Sequence, residues 1–251
     1  MLNFDNEGKN IAMIKEKNKK KNKIVSVLYD NDTKNKFNKL TLKDGQKFQQ
    51  IPDKNTERNI TYIVGPSGSG KSTYARNYIK EYKKMFKNND IYIFSALKED
   101  ENLDDLFPKR IIIDDRLVSD PLEASDFKDS LILFDDISVI RDKHQRKAVY
   151  QLLDEVLEIG RHHKISCLLT NHMPTAGNDT KRVLNETHCV VYFPNSGNNS
   201  TLKRLLTEII GIDVNTFNKI KRIKSRWCCI FKNFPQIAMT ENKIWALSDD
   251  D

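Results

Sequence analysis

From residue 60 onward the chain alternates two patterns. Short, mainly apolar runs occupy residues 60–64, 91–94, 131–134, 165–169 and 190–193, with a shorter one at 111–113. Runs of this length without a polar alternation predict strands buried on both faces. Between them, apolar residues recur three and four positions apart. Tyr74, Ala75, Tyr78, Ile79, Tyr82 and Phe86 form one such stripe. Ala148, Val149, Leu152, Leu153, Val156 and Leu157 form a second. Leu202, Leu205, Leu206, Ile209 and Ile210 form a third, closed by Gly211. These are helix faces. Alternating strands and amphipathic helices predict an α/β fold, a mainly parallel sheet flanked by helices.

The flanks read differently. Residues 1–23 are polar and end in KEKNKKKNK, the pattern of a disordered basic arm. Residues 24–28, 40–42 and 47–51 are short strand candidates, and Asp44-Gly45 between the last two predicts a hairpin. After the core, residues 217–223 look helical, and 227–231 and 243–247 look like strands. The expected organisation is a basic arm over 1–23, a small N-terminal β extension over 24–58, a core over 59–212 and a C-terminal α+β extension over 213–251. No internal repeat is visible.

Composition narrows the classes. A chain of 251 residues can bury one large core. With 38% hydrophobic and 31% charged residues it reads as a soluble globular protein, and no apolar stretch approaches the ~20 residues of a membrane span. The opening MLNFDNEGKN lacks a segment of signal-peptide type. Cys167, Cys189, Cys228 and Cys229 lack metal-ligand spacing and read as buried free thiols in a reducing compartment. The histidines show no such spacing either, so no zinc is expected. The net charge of +7 suits a polyanionic partner, although the Lys-, Asn- and Ile-rich composition also fits biased coding.

The chemistry concentrates after the first core run. Gly65, Pro66, Ser67, Gly68, Ser69, Gly70, Lys71, Ser72 and Thr73 match G-x-x-x-x-G-K-[ST] between an expected strand and an expected helix. Glycines let the backbone approach a ligand closely, and the helix N-terminus adds partial positive charge. The loop is therefore read as a cradle for the phosphates of ATP. Lys71 would reach the β- and γ-phosphates, and the Ser72 hydroxyl would ligate Mg²⁺.

A second pattern follows about 65 residues later. Residues 130–137 read SLILFDDI, an apolar strand running into two aspartates. Asp135 would serve the metal, and Asp136 would orient or deprotonate an attacking water. Asp114-Asp115 is a weaker version of the same pattern. The run ISCLLTNH brings Asn171 to a strand's carboxyl end, where parallel sheets bind ligands. His172 reads as a neighbour rather than a catalyst. Arg161 lies near the amino end of that strand, too far to serve its own site. It is either a helix-capping surface arginine or a finger offered to a neighbouring subunit. Arg182 is a second finger candidate; with Lys181 it lies in an expected loop over 175–182, where the two could instead contact DNA phosphates.

These residues resemble the FtsK–HerA superfamily of DNA-pumping ATPases. The segments carrying the likeness are 65–73, LILFDD at 131–136 and EIGRHHKISCLLTNHMP at 158–174. Within that superfamily the chain looks most like the virion DNA-packaging ATPases of nucleocytoplasmic large DNA viruses, helped by HCVVYFPNSG and SRWCCIFKNFP. The resemblance spans roughly residues 58–240. It implies a RecA-like P-loop core, a homo-oligomeric ring, ATP and Mg²⁺ as cofactors, and translocation of double-stranded DNA into a capsid. It further implies a portal or internal-membrane partner and a place at the viral assembly site in the host cytoplasm or in the virion. It assigns Lys71 and Ser72 to phosphate and metal, Asp135 to the metal, Asp136 to acid/base work and Asn171 to sensing. Asp136 stands where many members carry Glu, and Asn171 where Gln is frequent. Two rivals remain open at this point: a P-loop phosphotransferase, and an ATP-switched DNA-binding module that does not pump.

Overall fold

The computed structural model describes residues 1–16, 22–28, 37, 39–174, 178–196, 199–233 and 235–247. The chain forms two compact units, Met1–Thr56 with His188–Asp251, and Glu57–Thr187.

The first unit begins with five strands: β1 (Leu2–Asn3), β2 (Lys9–Glu16), β3 (Lys23–Val27), β4 (Lys39–Thr41) and β5 (Gln46–Gln50). Four of them make an antiparallel sheet in the order β1-β3-β2-β5. Its buried side holds Leu2, Ile11, Val25 and Phe48. Residues 1–16 therefore do not form the disordered arm that the lysine-rich ending suggests. Ile11 and Met13 are buried here alongside Ala12, and the cations Lys9 and Lys15 sit half-exposed near the strand's ends. Of the basic run, residues 17–21 lie outside the described residues. The expected hairpin is also corrected. Asp44-Gly45 does turn, with Gln46 N–H donating to the Lys43 carbonyl at 3.2 Å. Its two arms part company, however: β5 pairs with β2, and β4 pairs elsewhere.

The second unit holds β6 (Ile60–Val64), α1 (Lys71–Met85), β7 (Asp90–Ser95), β8 (Lys109–Ile112), α2 (Asp115–Ser119), β9 (Ser130–Asp135), α3 (Lys143–Ile159), β10 (Ser166–Asn171) and α4 (Asn178–Glu186). Its five strands are all parallel, in the order β6-β10-β9-β7-β8. The apolar runs behave as the sequence predicts: β6, β9 and β10 are buried along their whole length. The predicted faces of α1 and α3 are buried too, through Tyr74, Tyr78 and Tyr82 and through Leu152, Leu153 and Val156. Arg58 closes α3, donating to the Val156 and Leu157 carbonyls at 2.7 and 2.8 Å. The Val156 carbonyl also accepts from the Gly160 amide at 3.1 Å, and a cation suits that end of the helix dipole.

The rest of the first unit comprises β11 (Cys189–Tyr192), α5 (Asn199–Lys203), a π-helical continuation over Arg204–Ile209, α6 (Val214–Lys221), β12 (Cys228–Phe231), β13 (Ile237–Thr240) and β14 (Lys243–Ala246). Here the pairing is antiparallel, in the order β4-β14-β13-β12-β11. Residues 189–192, expected in the core, thus belong with the C-terminal strands. The strand β13 is not visible in the hydrophobic pattern. All four cysteines are buried and none is in a disulfide, and burial pushes the Cys167 and Cys228 thiols up to about 12.

Candidate nucleotide-binding site

Register sets the site. Across the parallel sheet, Val64 lies beside Asn171, Phe134 beside Leu169, and Asp135 beside Ser95. The carboxyl ends of β6, β10, β9 and β7 therefore finish nearly abreast. Whatever follows each strand emerges on one rim, the place where open parallel sheets hold ligands.

The loop after β6 is shaped by its glycines. Gly68 and Gly70 adopt φ of 74° and 110°, a region that disfavours any side chain. Gly70 is the N-cap of α1 and offers no side-chain cap. The first amides of α1 thus lack a side-chain acceptor and suit an anion. The Ser69 hydroxyl is buried without a hydrogen-bond partner. A buried hydroxyl in that condition is costly unless a ligand completes it.

Lys71 is buried, and its ammonium donates to the Gly65 carbonyl at 3.0 Å. It also lies 3.2 Å from His172 Nδ1 and 3.6 Å from Asp136 Oδ2. His172 Nε2 in turn lies 3.2 Å from the same Asp136 oxygen. An ammonium can only donate, so Nδ1 accepts and Nε2 carries the proton that faces Asp136. Asp136 Oδ1 is buried with no partner. Its backbone is left-handed at φ 46°, unusual for a residue with a Cβ.

Thr170 binds the two aspartates together. Its hydroxyl donates to Asp135 Oδ1 at 2.8 Å and accepts from the Asp136 amide at 2.8 Å. Burial is the main force on Asp135 and raises its carboxyl above the usual range, and the nearby charges of Asp136 and Asp100 add to this. The Thr170 hydrogen bond and Lys71 act the other way. A carboxylate in this state gains from a cation. With the Ser72 hydroxyl near the start of α1, it offers the hard oxygen donors that Mg²⁺ takes. Asn171 is positioned as its Oδ1 accepts from Ser138 at 2.6 Å, and its carbonyl receives the Gly65 amide at 3.1 Å.

The structure thus brings Gly65–Thr73, Asp135, Asp136 and Asn171 to one rim. The sequence reading underrated His172, which touches both Lys71 and Asp136. Its only signal was position, one residue past the expected strand end. Arg161 is elsewhere, in the turn before β10, and is ion-paired with Glu57. Both side chains are exposed. Arg182 is not in a loop. It lies on α4 and pairs with Asp154 and Glu158 of α3, while residues 175–177 of the expected loop lie outside the described residues. Asp114 is an N-cap that accepts from the Arg116 amide at 3.0 Å and from its guanidinium at 2.7 Å. It is occupied as a structural residue.

Comparison with known proteins places these features in context. The family described as novel STAND NTPase 3 matches residues 44–176, slightly more than half of the chain. Protein V3 of the Sputnik virophage is 42% identical over 208 residues, covering 82% of this chain and 83% of that protein. Among solved structures, the genome-packaging NTPase B204 of Sulfolobus turreted icosahedral virus 2 in complex with AMPPCP is similar with a TM-score of 0.54. It is 17% identical, over 74% of this chain and 98% of that one. The B204 DNA-packaging ATPase of Sulfolobus turreted icosahedral virus gives a TM-score of 0.51 at 20% identity, over 75% and 98%.

Proposed function

We propose that this chain, which belongs to the novel STAND NTPase 3 family, is an ATP-hydrolysing motor subunit that drives double-stranded DNA into a viral capsid. The observation that carries the hydrolytic part is the convergence of Lys71, Asp136 and His172 beside a glycine-shaped loop. Support for packaging comes from the fold shared with B204, described as a genome-packaging NTPase, and from the virophage relative.

The site suggests how its residues would work. The loop amides and the orphaned Ser69 hydroxyl receive the phosphates of ATP. Lys71 exchanges Asp136 and His172 for phosphate oxygen. Ser72 and Asp135 would hold Mg²⁺, which would supply positive charge against the triphosphate. Asp136 Oδ1, the buried oxygen without a partner, accepts the proton of the attacking water. The bond from the γ-phosphorus to its bridging oxygen breaks, giving ADP and phosphate. Asn171, fixed by Ser138, senses the γ-phosphate. In a homo-oligomeric ring, Arg161 would leave Glu57 and reach a neighbour's nucleotide. The pair that it gives up is exposed to water and so holds Arg161 only weakly.

The test is ATP turnover with and without duplex DNA, for the native chain and for Asp136→Asn. The native chain is expected to hydrolyse ATP faster with DNA and to form ATP-dependent oligomers. The variant should bind nucleotide while turnover drops by about 10²–10⁴-fold. A variant that binds DNA normally and still supports genome encapsidation would refute the motor reading. So would a strict monomer with full activity.

A further inference from the structure

Charge is divided unevenly along the chain. Met1–Thr56 with His188–Asp251 carries 22 Lys and Arg against 13 Asp and Glu, whereas Glu57–Thr187 carries 20 against 22. The catalytic unit is thus slightly acidic, and all of the net positive charge resides in the other. Within that unit the densest basic stretch in the described residues begins at the end of α6. Lys221, Arg222, Lys224 and Arg226 fall within six residues, and all four are exposed.

This stretch is held rigidly from below. Phe217 and Ile220 anchor α6 in the core. The Arg222 and Ile223 amides donate back to the carbonyls of Lys219 and Ile220 at 3.2 and 3.1 Å. The buried Ser225 hydroxyl donates to the Trp227 carbonyl at 2.9 Å and accepts from the Glu241 amide at 3.3 Å. Asn195 donates to the Ser225 carbonyl at 3.1 Å. Among the described residues no carboxylate forms an ion pair with any of the four cations. Glu241 comes near but is turned to the Arg226 backbone amide at 3.5 Å and to Lys47 at 3.6 Å. A solvated helix end needs one or two cations to satisfy its dipole. Four on a fixed turn, unneutralised, exceed that need and repel one another.

We infer that the Lys221–Arg226 turn is a binding surface for the phosphate backbone of duplex DNA. The inference rests on the motor reading and names the face that the DNA meets. Six residues span at most about 20 Å, over which one strand of B-form DNA presents about six phosphates. The four cations thus fall within the reach of a single short run of phosphates. An anionic membrane is a poorer fit, because surface-seated segments pair their cations with exposed aromatic or aliphatic side chains. Within this turn the one large apolar residue, Ile223, is half-buried.

The experiment measures binding of the full chain to a fluorescent duplex of random sequence between about 50 and 200 mM salt. The native chain is compared with the fourfold variant Lys221→Gln, Arg222→Gln, Lys224→Gln, Arg226→Gln. A second fourfold variant, Lys39→Gln, Lys43→Gln, Lys47→Gln, Lys54→Gln, controls for net charge. Loss of four phosphate contacts should flatten the log–log salt slope by about 3.6, so that the native chain loses about 100-fold more affinity over this range than the variant. DNA-stimulated hydrolysis should fall with it, while basal hydrolysis stays unchanged. Equal weakening in the control variant would overturn the assignment in favour of diffuse charge. Capture by phosphatidylserine vesicles that depends on the same four residues, with DNA binding unaffected, would overturn it as well. Hydrolysis without any DNA binding by the native chain would instead remove the motor reading itself.

Discussion

The two units bury similar kinds of residue but signal them differently. In Glu57–Thr187 the strands are parallel, and the central ones, β6, β9 and β10, are buried along their whole length in mainly apolar runs such as LILF, while the edge strand β8 is partly exposed. In the other unit the strands are antiparallel, and β2 and β5 mix polar and charged residues with apolar ones, as KNIAMIKE and QKFQQ, while β11, β12 and β13 are buried throughout. Part of what β2 and β5 bury is polar, Asn10, Gln49 and Gln50 among it, so no continuous apolar run announces them. Local sequence therefore identifies a parallel core far more readily than an antiparallel one. The same division holds for chemistry: the proposed catalytic groups lie in the unit that is easy to read, and the excess positive charge lies in the other.

Lys71→Ala would test that division most severely. It should lower ATP turnover by about 10³-fold or more, about 4 kcal/mol in the barrier, yet leave duplex binding unchanged in the same salt titration. Joint loss of both would break the separation. Ile11→Ala is the converse probe. A buried isoleucine in β2 should cost about 2–5 kcal/mol of unfolding free energy by denaturant titration. A basic arm with no structure would show no change.

His172 sharpens the catalytic side. His172→Ala should lower kcat about tenfold while KM for ATP moves little, because the imidazole holds Asp136 rather than the nucleotide. His172→Gln, whose amide can replace Nε2 as a donor, should recover part of the loss. A change confined to KM would mean that His172 serves Lys71 alone. Asp135 supplies a pH test. Its carboxyl holds its proton more tightly in the folded chain than in the unfolded one. Folding stability from this group is thus full at low pH and is lost as pH rises from the ordinary carboxylate range through the raised value. Without magnesium, Asp135→Asn should melt higher at neutral pH, by about 2–4 °C for each kcal/mol relieved. Magnesium should raise the melting temperature of the native chain and not of the variant. The smallest effect belongs to Glu57→Gln, which removes an exposed partner of Arg161 and should leave the denaturation midpoint nearly unchanged.

The phosphate loop, the double aspartate and Asn171 were all legible, since each combines a residue type with a strand end. Three features were not. The Asp44-Gly45 turn was real, but the partners of the strands on either side are set by residues far along the chain, β2 for one and β14 for the other. Arg182 looked like a loop cation because its partners, Asp154 and Glu158, sit on a helix about 25 residues earlier, and nothing local announces them. His172 acquired its role only from the register that sets β10 beside β6 and β9, which brings Lys71 and Asp136 to it from two other segments.

The left-handed backbone at Asp136 has a further consequence. Glycine would rest in that conformation with less strain, so replacing this aspartate with glycine should make the folded chain firmer while silencing it. The carboxylate is thus held at a place where the polypeptide itself would settle more comfortably without one, and robustness and turnover pull in opposite directions at a single residue.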